Sequence, residues 1–253
     1  MFLRNNFVKF IYLLLISASI FAQNKSIEAK IISITSNDSN PKKREFTINY
    51  QIENLTNNPV SFFLRPNTLI ANAAGSMTLF PIYKIYINGV FIPLDGPFSE
   101  RDGIDWETKL QGFKDYTAPE AKEIIKKTIE EFKAQNKLIV DNYTKNVGKN
   151  TNENWILENY HLLESKITLN PKEIKSFAIK TSWNRERYFK EDDLEYYLDE
   201  KDNYLFELVL DLKKTSFKDR LLEDDYLKFK KDSNFIEGIF TTNKVEIDFK
   251  DKI

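Results

Sequence analysis

"IYKIYINGVFIPL", residues 82–94, decides the fold class. Two apolar runs, 82–87 and 90–94, flank Asn88-Gly89. A two-residue type I′ loop needs positive φ at both central positions, and Asn followed by Gly meets that need at low cost. The stretch therefore predicts an antiparallel hairpin, which must find further strands to bury its apolar face. The flanking sequence supplies them. Upstream, "EFTINYQIEN" (45–54) places Phe46, Ile48, Tyr50 and Ile52 on one face at period two, the signal of a half-buried strand. "IEAKIISIT" (27–35) does the same with Ile27, Ala29 and Ile31, then shifts phase through Ile32 and Ile34. Between Asn54 and Val60, "NLTNNPV" breaks the pattern with Asn, Thr and Pro59, and "VSFFLR" (60–65) resumes it. Downstream, "NYLFELVLDLKK" (203–214) lines up Tyr204, Phe206, Leu208, Leu210 and Leu212. "SKITLNPKEIKSFAIKTSW" (165–183) turns at Asn170–Glu173, after which Ile174, Ser176 and Ala178 alternate against Lys175, Phe177 and Ile179. "FIEGIFTTNKVEIDF" (235–249) reads as a broken or bulged strand.

The strand pattern is interrupted after Pro97. "GPFSERDGIDWETKLQGFKDYT" (96–117) has no sustained period and reads as a long excursion. Thr117-Ala118-Pro119-Glu120 then predicts a capping box, the Thr hydroxyl and Glu carboxylate serving the unpaired N–H groups of a helix start. Ala121, Ile124, Ile125, Thr128, Ile129, Phe132, Ile139 and Tyr143 continue as a helical stripe to about Asn146, before Gly148. Such a helix is about 40 Å long, against about 20 Å for a typical strand. It must overhang a sandwich or pack on a helical partner, for which "NENWILENYHLL" (152–163) is the nearest candidate. "EDDLEYYLDE" (191–200) predicts a short acidic surface helix, and "KDRLLEDDYLKFKKD" (218–232) a polar helical segment.

Before the first strand, "FIYLLLISASIFAQ" (10–23) follows Arg4 and Lys9 and ends in small residues at Ser17, Ala18, Ser19 and Ala22. A basic lead, an apolar centre and a small-residue end make up a secretory signal peptide. At about 1.5 Å per residue, Phe10 to Ala22 falls short of a hydrocarbon core of roughly 30 Å. Cleavage is expected between Ala22 and Gln23, leaving no membrane span; the alternatives are a buried N-terminal helix or an uncleaved anchor. The chain has no cysteine, which excludes a thiol-linked lipid anchor and any disulfide. Twenty Phe, twelve Tyr and three Trp are available to build the core instead. A net charge of −1 gives no basic excess to bind nucleic acid.

Three segments carry a resemblance. They are the Asn-rich turn with Pro-Val at Asn54–Val60, the Leu-x-Pro-x-Glu type of turn at Leu169–Glu173, and the closing Thr-Asn-x-Val strand at Thr242–Ile247. Together they resemble exported bacterial immunoglobulin-like domains. The resemblance implies a mainly β fold, an antiparallel immunoglobulin-like β-sandwich over residues 23–253, with an inserted long helix or helical hairpin at about 97–161. It covers roughly half the chain, and its motifs are structural. The chain departs from it in having no disulfide and in carrying the insertion. What it implies is a binding or scaffold module more often than an enzyme, although a fold alone does not decide function.

Catalytic chemistry finds little material. His161 is the single histidine, so neither a His-based zinc cluster nor a His-pair acid–base system can be built. A Ser-His-Asp triad would lack the Gly-x-Ser-x-Gly elbow that usually accompanies it in α/β hydrolases. No Gly-rich phosphate loop is present, and no cofactor is expected. Asp102, Asp105 and Glu107 beside Trp106 could flank a glycosidic bond or hold calcium, although the spacing matches no EF-hand loop. The more interesting surface is "TSWNRERYFKEDDLEYYLDEKDNY" (181–204), where Trp183, Tyr188, Tyr196 and Tyr197 interleave with Arg185 and Arg187, the residue types that dominate interface hot spots. The plainer reading packs Trp183 over a sheet edge and pairs the arginines with the acidic run. The expected function is an exported, non-catalytic binding or interaction module of the cell envelope, with an envelope protein or glycan as partner and contacts at Trp183, Arg185, Arg187, Tyr196 and Tyr197. The alternative is a carboxylate-based hydrolase of a polymer such as a glycan, acting through Asp102 and Asp105. A third, a protease-inhibitor-like sandwich, rests only on "ENLTNNPV" (53–60) and the strand after it.

Overall fold

In the computed structural model the described residues are 25–40, 43–71, 79–92, 98, 106–110, 112–113, 115–184 and 202–250. Their strands are β1 (Ile27–Asn37), β2 (Lys43–Asn54), β3 (Val60–Phe63), β4 (Ile70–Ala71), β5 (Ile82–Ile87), β6 (Val90–Ile92), β7 (Lys166–Leu169), β8 (Ile174–Asn184), β9 (Tyr204–Leu212), β10 (Gly238–Thr241) and β11 (Val245–Ile247). Four α-helices accompany them: α1 (Trp106–Lys109), α2 (Pro119–Asn146), α3 (Glu153–Glu164) and α4 (Glu223–Lys231). A 3-10 turn at Thr215–Arg220 precedes α4. The fold is mainly β with some helix.

One sheet runs β1-β2-β8 and a second runs β10-β9-β5-β4, with β11 also on β9 and β6 on β5; β3 and β7 form a separate pair. Only β4 and β5 pair in parallel among these strands. The period-two faces read from the sequence are the buried ones. Phe46, Ile48, Tyr50 and Ile52 from β2 join Tyr204, Phe206, Leu208, Leu210 and Leu212 from β9 in one continuous core. β9 is largely buried on both faces, because a core lies on each side of it. Its outward Val209 joins Phe63, Leu162, Phe217 and Phe235 in a second core beneath the helices.

Local expectations resolve in physical detail. Asn88 and Gly89 have φ of 49° and 81°, as a type I′ turn requires. The phase shift in β1 is a bulge: register slips between Ile31 and Ser33, and Ile32 is turned outward. The broken closing strand is β10 and β11, both antiparallel to β9. At the break, Asn243 reaches across to the bulge, accepting from the Ile31 N–H at 2.8 Å and donating to the Ile31 carbonyl at 3.2 Å. This side chain ties the edge of the first sheet to the second.

The capping box does not form. Helix α2 begins at Pro119 with Ala118 as its N-cap and no side-chain cap bond. The Thr117 hydroxyl and N–H instead donate to Asp115 Oδ1, at 2.7 and 2.8 Å. Proline sets the boundary, because it suits the first helical position and holds the residue before it extended. The helix ends where the sequence places it, the N–H groups of Val147 and Gly148 both donating to the Tyr143 carbonyl. Its 28 residues span about 42 Å. Helix α3 is the expected partner, with Tyr143 edge-on to Trp155 at 6.0 Å. α3 is in turn bolted to the 3-10 turn by Trp155 Nε1 donating to the Asp219 carbonyl and Asn159 Nδ2 to the Arg220 carbonyl. The helix expected at 191–200 lies outside the described residues.

Candidate functional site

The two ends of β8 differ in character. At its C-terminal end, Trp183 is half-buried and edge-on to Phe249 at 5.1 Å, and its backbone bridges Phe98. Opposite Trp183 in the ladder stands Arg44, which has no exposed surface. Its guanidinium forks onto Asp38, at 2.6 and 3.1 Å, and donates to the carbonyls of Asp248 and Lys250. A buried arginine survives only when its donors are met in this way, and here it locks the chain after β11 to the first sheet. Trp183 belongs to this corner. Arg185, Arg187, Tyr196 and Tyr197 lie outside the described residues, as do Asp102 and Asp105. Of the carboxylate cluster's neighbours, Trp106 is placed, half-buried at the start of α1.

At the other end of β8, about 20 Å away at 3.3 Å per residue, a groove of about 800 Å³ opens between sheet and helices. Its geometry begins at the Asn170–Glu173 turn. β7 leaves this turn to pair with β3, whereas β8 leaves it to pair with β2. The two strands therefore diverge, and Ile167 on one and Lys175 and Phe177 on the other line the space between them. The connection after β3, residues 64–68, forms a second wall, held by Tyr50 Oη donating to the Pro66 carbonyl at 2.7 Å and the Leu64 N–H to the Ser165 carbonyl at 3.0 Å. Burial pushes the Tyr50 phenol far above the ordinary range, so it remains a donor. Helices close the top, Phe132 from α2 and His161 and Glu164 from α3.

The lining combines apolar surface with charge, the usual make-up of a recognition site. Phe132 is 44 % exposed and Phe177 stacks at a tilt on Tyr50, 5.4 Å between centroids. Arg65, Lys166 and Lys175 carry positive charge against the single carboxylate of Glu164. Lys175 Nζ stands 6.0 Å over the Phe177 ring. Phe132 and His161 appear in the sequence as a helical-stripe residue and a lone histidine. Their convergence with residues 64–68 has no local signature, because it depends on which sheet each strand joins.

A second polar cluster sits on the outer face of the second sheet. The Tyr86 hydroxyl donates to Glu207 Oε2 at 2.5 Å, and Lys244 Nζ lies 3.5 Å from the Tyr86 ring centre. Burial, then the hydrogen bond and charge of Glu207, push the Tyr86 phenol up to about 12. These groups are committed to one another and hold the sheet face together. Among the described residues no group of three His, Asp or Glu side chains is placed to hold a metal ion, and no helix is long and apolar enough to cross a membrane. Compared with known proteins, the chain matches no family model, no curated protein and no solved structure.

Proposed function

We propose that this protein is an exported, non-catalytic binding module of the bacterial cell envelope: an immunoglobulin-like β-sandwich whose helical insertion roofs a recognition groove. The groove between β7, β8 and α2–α3 carries this reading, since it joins exposed aromatic surface to a few convergent charges in one concavity. Support for a sandwich comes from the two larger sheets burying their inner faces in one core. The three segments behind the immunoglobulin resemblance all serve as joints. Asn54 and Asn170–Glu173 meet at one end, and Asn243 ties the sheets together. The basic lead and short apolar run before Gln23 support export with loss of residues 1–22. The partner is an envelope protein or glycan.

The test is capture from an envelope extract of the native host by the immobilised chain, beside Phe132→Asp. Proteins or glycans retained by the wild type and lost by the variant are expected. Equal capture by both, or hydrolysis of an envelope polymer that Asp102→Asn and Asp105→Asn abolish, would overturn the reading. N-terminal sequencing of the native protein is expected to begin at Gln23, and a mature species retaining residues 10–21 would refute export by cleavage.

A further inference from the structure

We infer that α2 is a gate: it undocks from the body as one unit while α3 and the sheets remain folded, and only its docked state completes the groove. This rests on the reading of the groove as the binding site, because α2 carries the Phe132 wall. Little holds the helix down. Over its 28 residues only Ala121 and Thr128 are buried. Among the described residues, the hydrogen bonds and ion pairs of its side chains, Lys127 with Glu131 and Lys137 with Asp141, stay within the helix. They support α2 as a helix and tie it to no other element. Its N-cap makes no side-chain bond, and Gly148, at φ +64°, supplies a pivot just past its end. α3 is anchored quite differently. Its side chains donate to the Asp219 and Arg220 carbonyls, and its Leu162 sits in the second core. Units with few buried apolar contacts are the ones that open first.

The joint between α2 and α3 adds a bias of its own. Tyr143 packs edge-on to Trp155, yet its Oη is buried with no hydrogen-bond partner. Burial raises the pKa of this phenol, so it keeps a proton that nothing accepts. A stranded donor costs free energy that water restores once the helix lifts. The docked joint therefore favours its own release. Apolar surface weighs on the other side. Phe132 is 44 % exposed, and Ile129, one turn earlier on α2, is 36 % exposed. A ligand that covers Phe132 in the groove prefers the docked state and draws α2 down, so apparent affinity scales with the docked fraction.

Hydrogen exchange of the full chain, read by mass spectrometry, tests the gate without any ligand. An undocked helix of this length is marginal in water, so amides 124–143 are expected to exchange roughly a hundredfold faster than amides 158–164. Tyr143→Phe removes only the stranded hydroxyl and is expected to slow α2 exchange about threefold or more. Tyr143→Ala removes the ring contact and is expected to speed it, with β9 exchange unchanged in both variants. Capture from the envelope extract then reads the coupling: material retained through Phe132 is expected to increase with Tyr143→Phe and to decrease with Tyr143→Ala. Equal protection of α2 and α3, or faster α2 exchange in Tyr143→Phe, would overturn the gate and leave the binding module standing. Fast α2 exchange with Phe132-dependent capture indifferent to both Tyr143 variants would overturn it as well. Equal capture by the wild type and Phe132→Asp would instead overturn the reading of the groove, and the coupling with it.

Discussion

Asn54 shows how much one side chain can organise. It is fully buried, and its amide donates to the carbonyls of Asn58, Leu169 and Asn170 while its oxygen accepts from the Thr56 N–H and hydroxyl. The turn after β2 is thereby tied to the turn from which β7 and β8 diverge. Asn54→Leu retains much of the volume and strands buried carbonyls, each worth about 1–3 kcal/mol. A loss of about 2–4 kcal/mol in urea unfolding is expected, and a loss below 1 would show that water replaces the amide. Trp183 receives the same kind of test. Packed on Phe249, Trp183→Ala is expected to lower stability by about 2–4 kcal/mol. An unchanged melt with lost partner binding would return Trp183 to the role of an exposed contact. Tyr86 sets a pH limit. Its phenol titrates near 10 when unfolded and is pushed up to about 12 in the folded chain. The folded state holds this proton more tightly, so the stabilisation is intact below about pH 10 and is lost as pH rises toward 12. Tyr86→Phe is expected to flatten the fall in stability over that window, measured by urea midpoints from pH 9 to 12.

At the scale of the element, turns and caps follow backbone geometry more closely than motif. Gly89 sits at φ +81° with open space where a Cβ would be. Gly89→Ala therefore meets no clash and costs only the left-handed conformation, about 1–2 kcal/mol. Helix α2 is the informative counter-case. Its unfilled N-cap at Ala118 leaves a stabilising change open: Ala118→Asp is expected to add about 0.5–1.5 kcal/mol by accepting from the first-turn N–H groups. Thr117→Ala, by contrast, removes only an exposed turn contact with Asp115. A change within about 0.5 kcal/mol is expected. Reversed magnitudes for these two substitutions would restore Thr117 as the cap. Proline decided the boundary because its missing N–H and fixed φ outweigh a hydroxyl that can bond elsewhere.

Across the whole molecule, the two long helices hold different stakes in the fold. α2 buries only Ala121 and Thr128, whereas α3 buries Ile156, Asn159 and Leu162, the last within the second core. Replacing residues 120–148 by a Gly/Ser linker of about twenty residues, long enough to bridge the roughly 42 Å that α2 spans, is expected to leave a cooperative, β-rich unfolding transition, with reduced ligand binding because the Phe132 wall is gone. Extending the replacement through Leu162 opens the second core and is expected to lower the melting temperature further. Circular dichroism and thermal melts on the two deletions decide this. Equal, non-cooperative behaviour in both would place α2 in the core.

What the sequence determined alone was whatever depends on neighbours along the chain. Phe46 to Ile52 and Tyr204 to Leu212 alternate because a pleated strand does, so their buried faces were legible, as were the Asn88-Gly89 hairpin and the bulge behind the shifted phase at Ile32. The end of α2 at Asn146 and the break before Val245 were legible for the same reason. The capping box failed within that local range, since two local rules competed and the sequence pattern did not rank them. The groove belongs to another class. It exists because β7 and β8, adjacent in sequence, pair with different strands, and because α3 holds α2 over the opening. Strand pairing and helix docking are long-range choices made by the burial of whole faces. Only the tertiary structure brings Arg65, Phe132, His161 and Lys175 to one concavity.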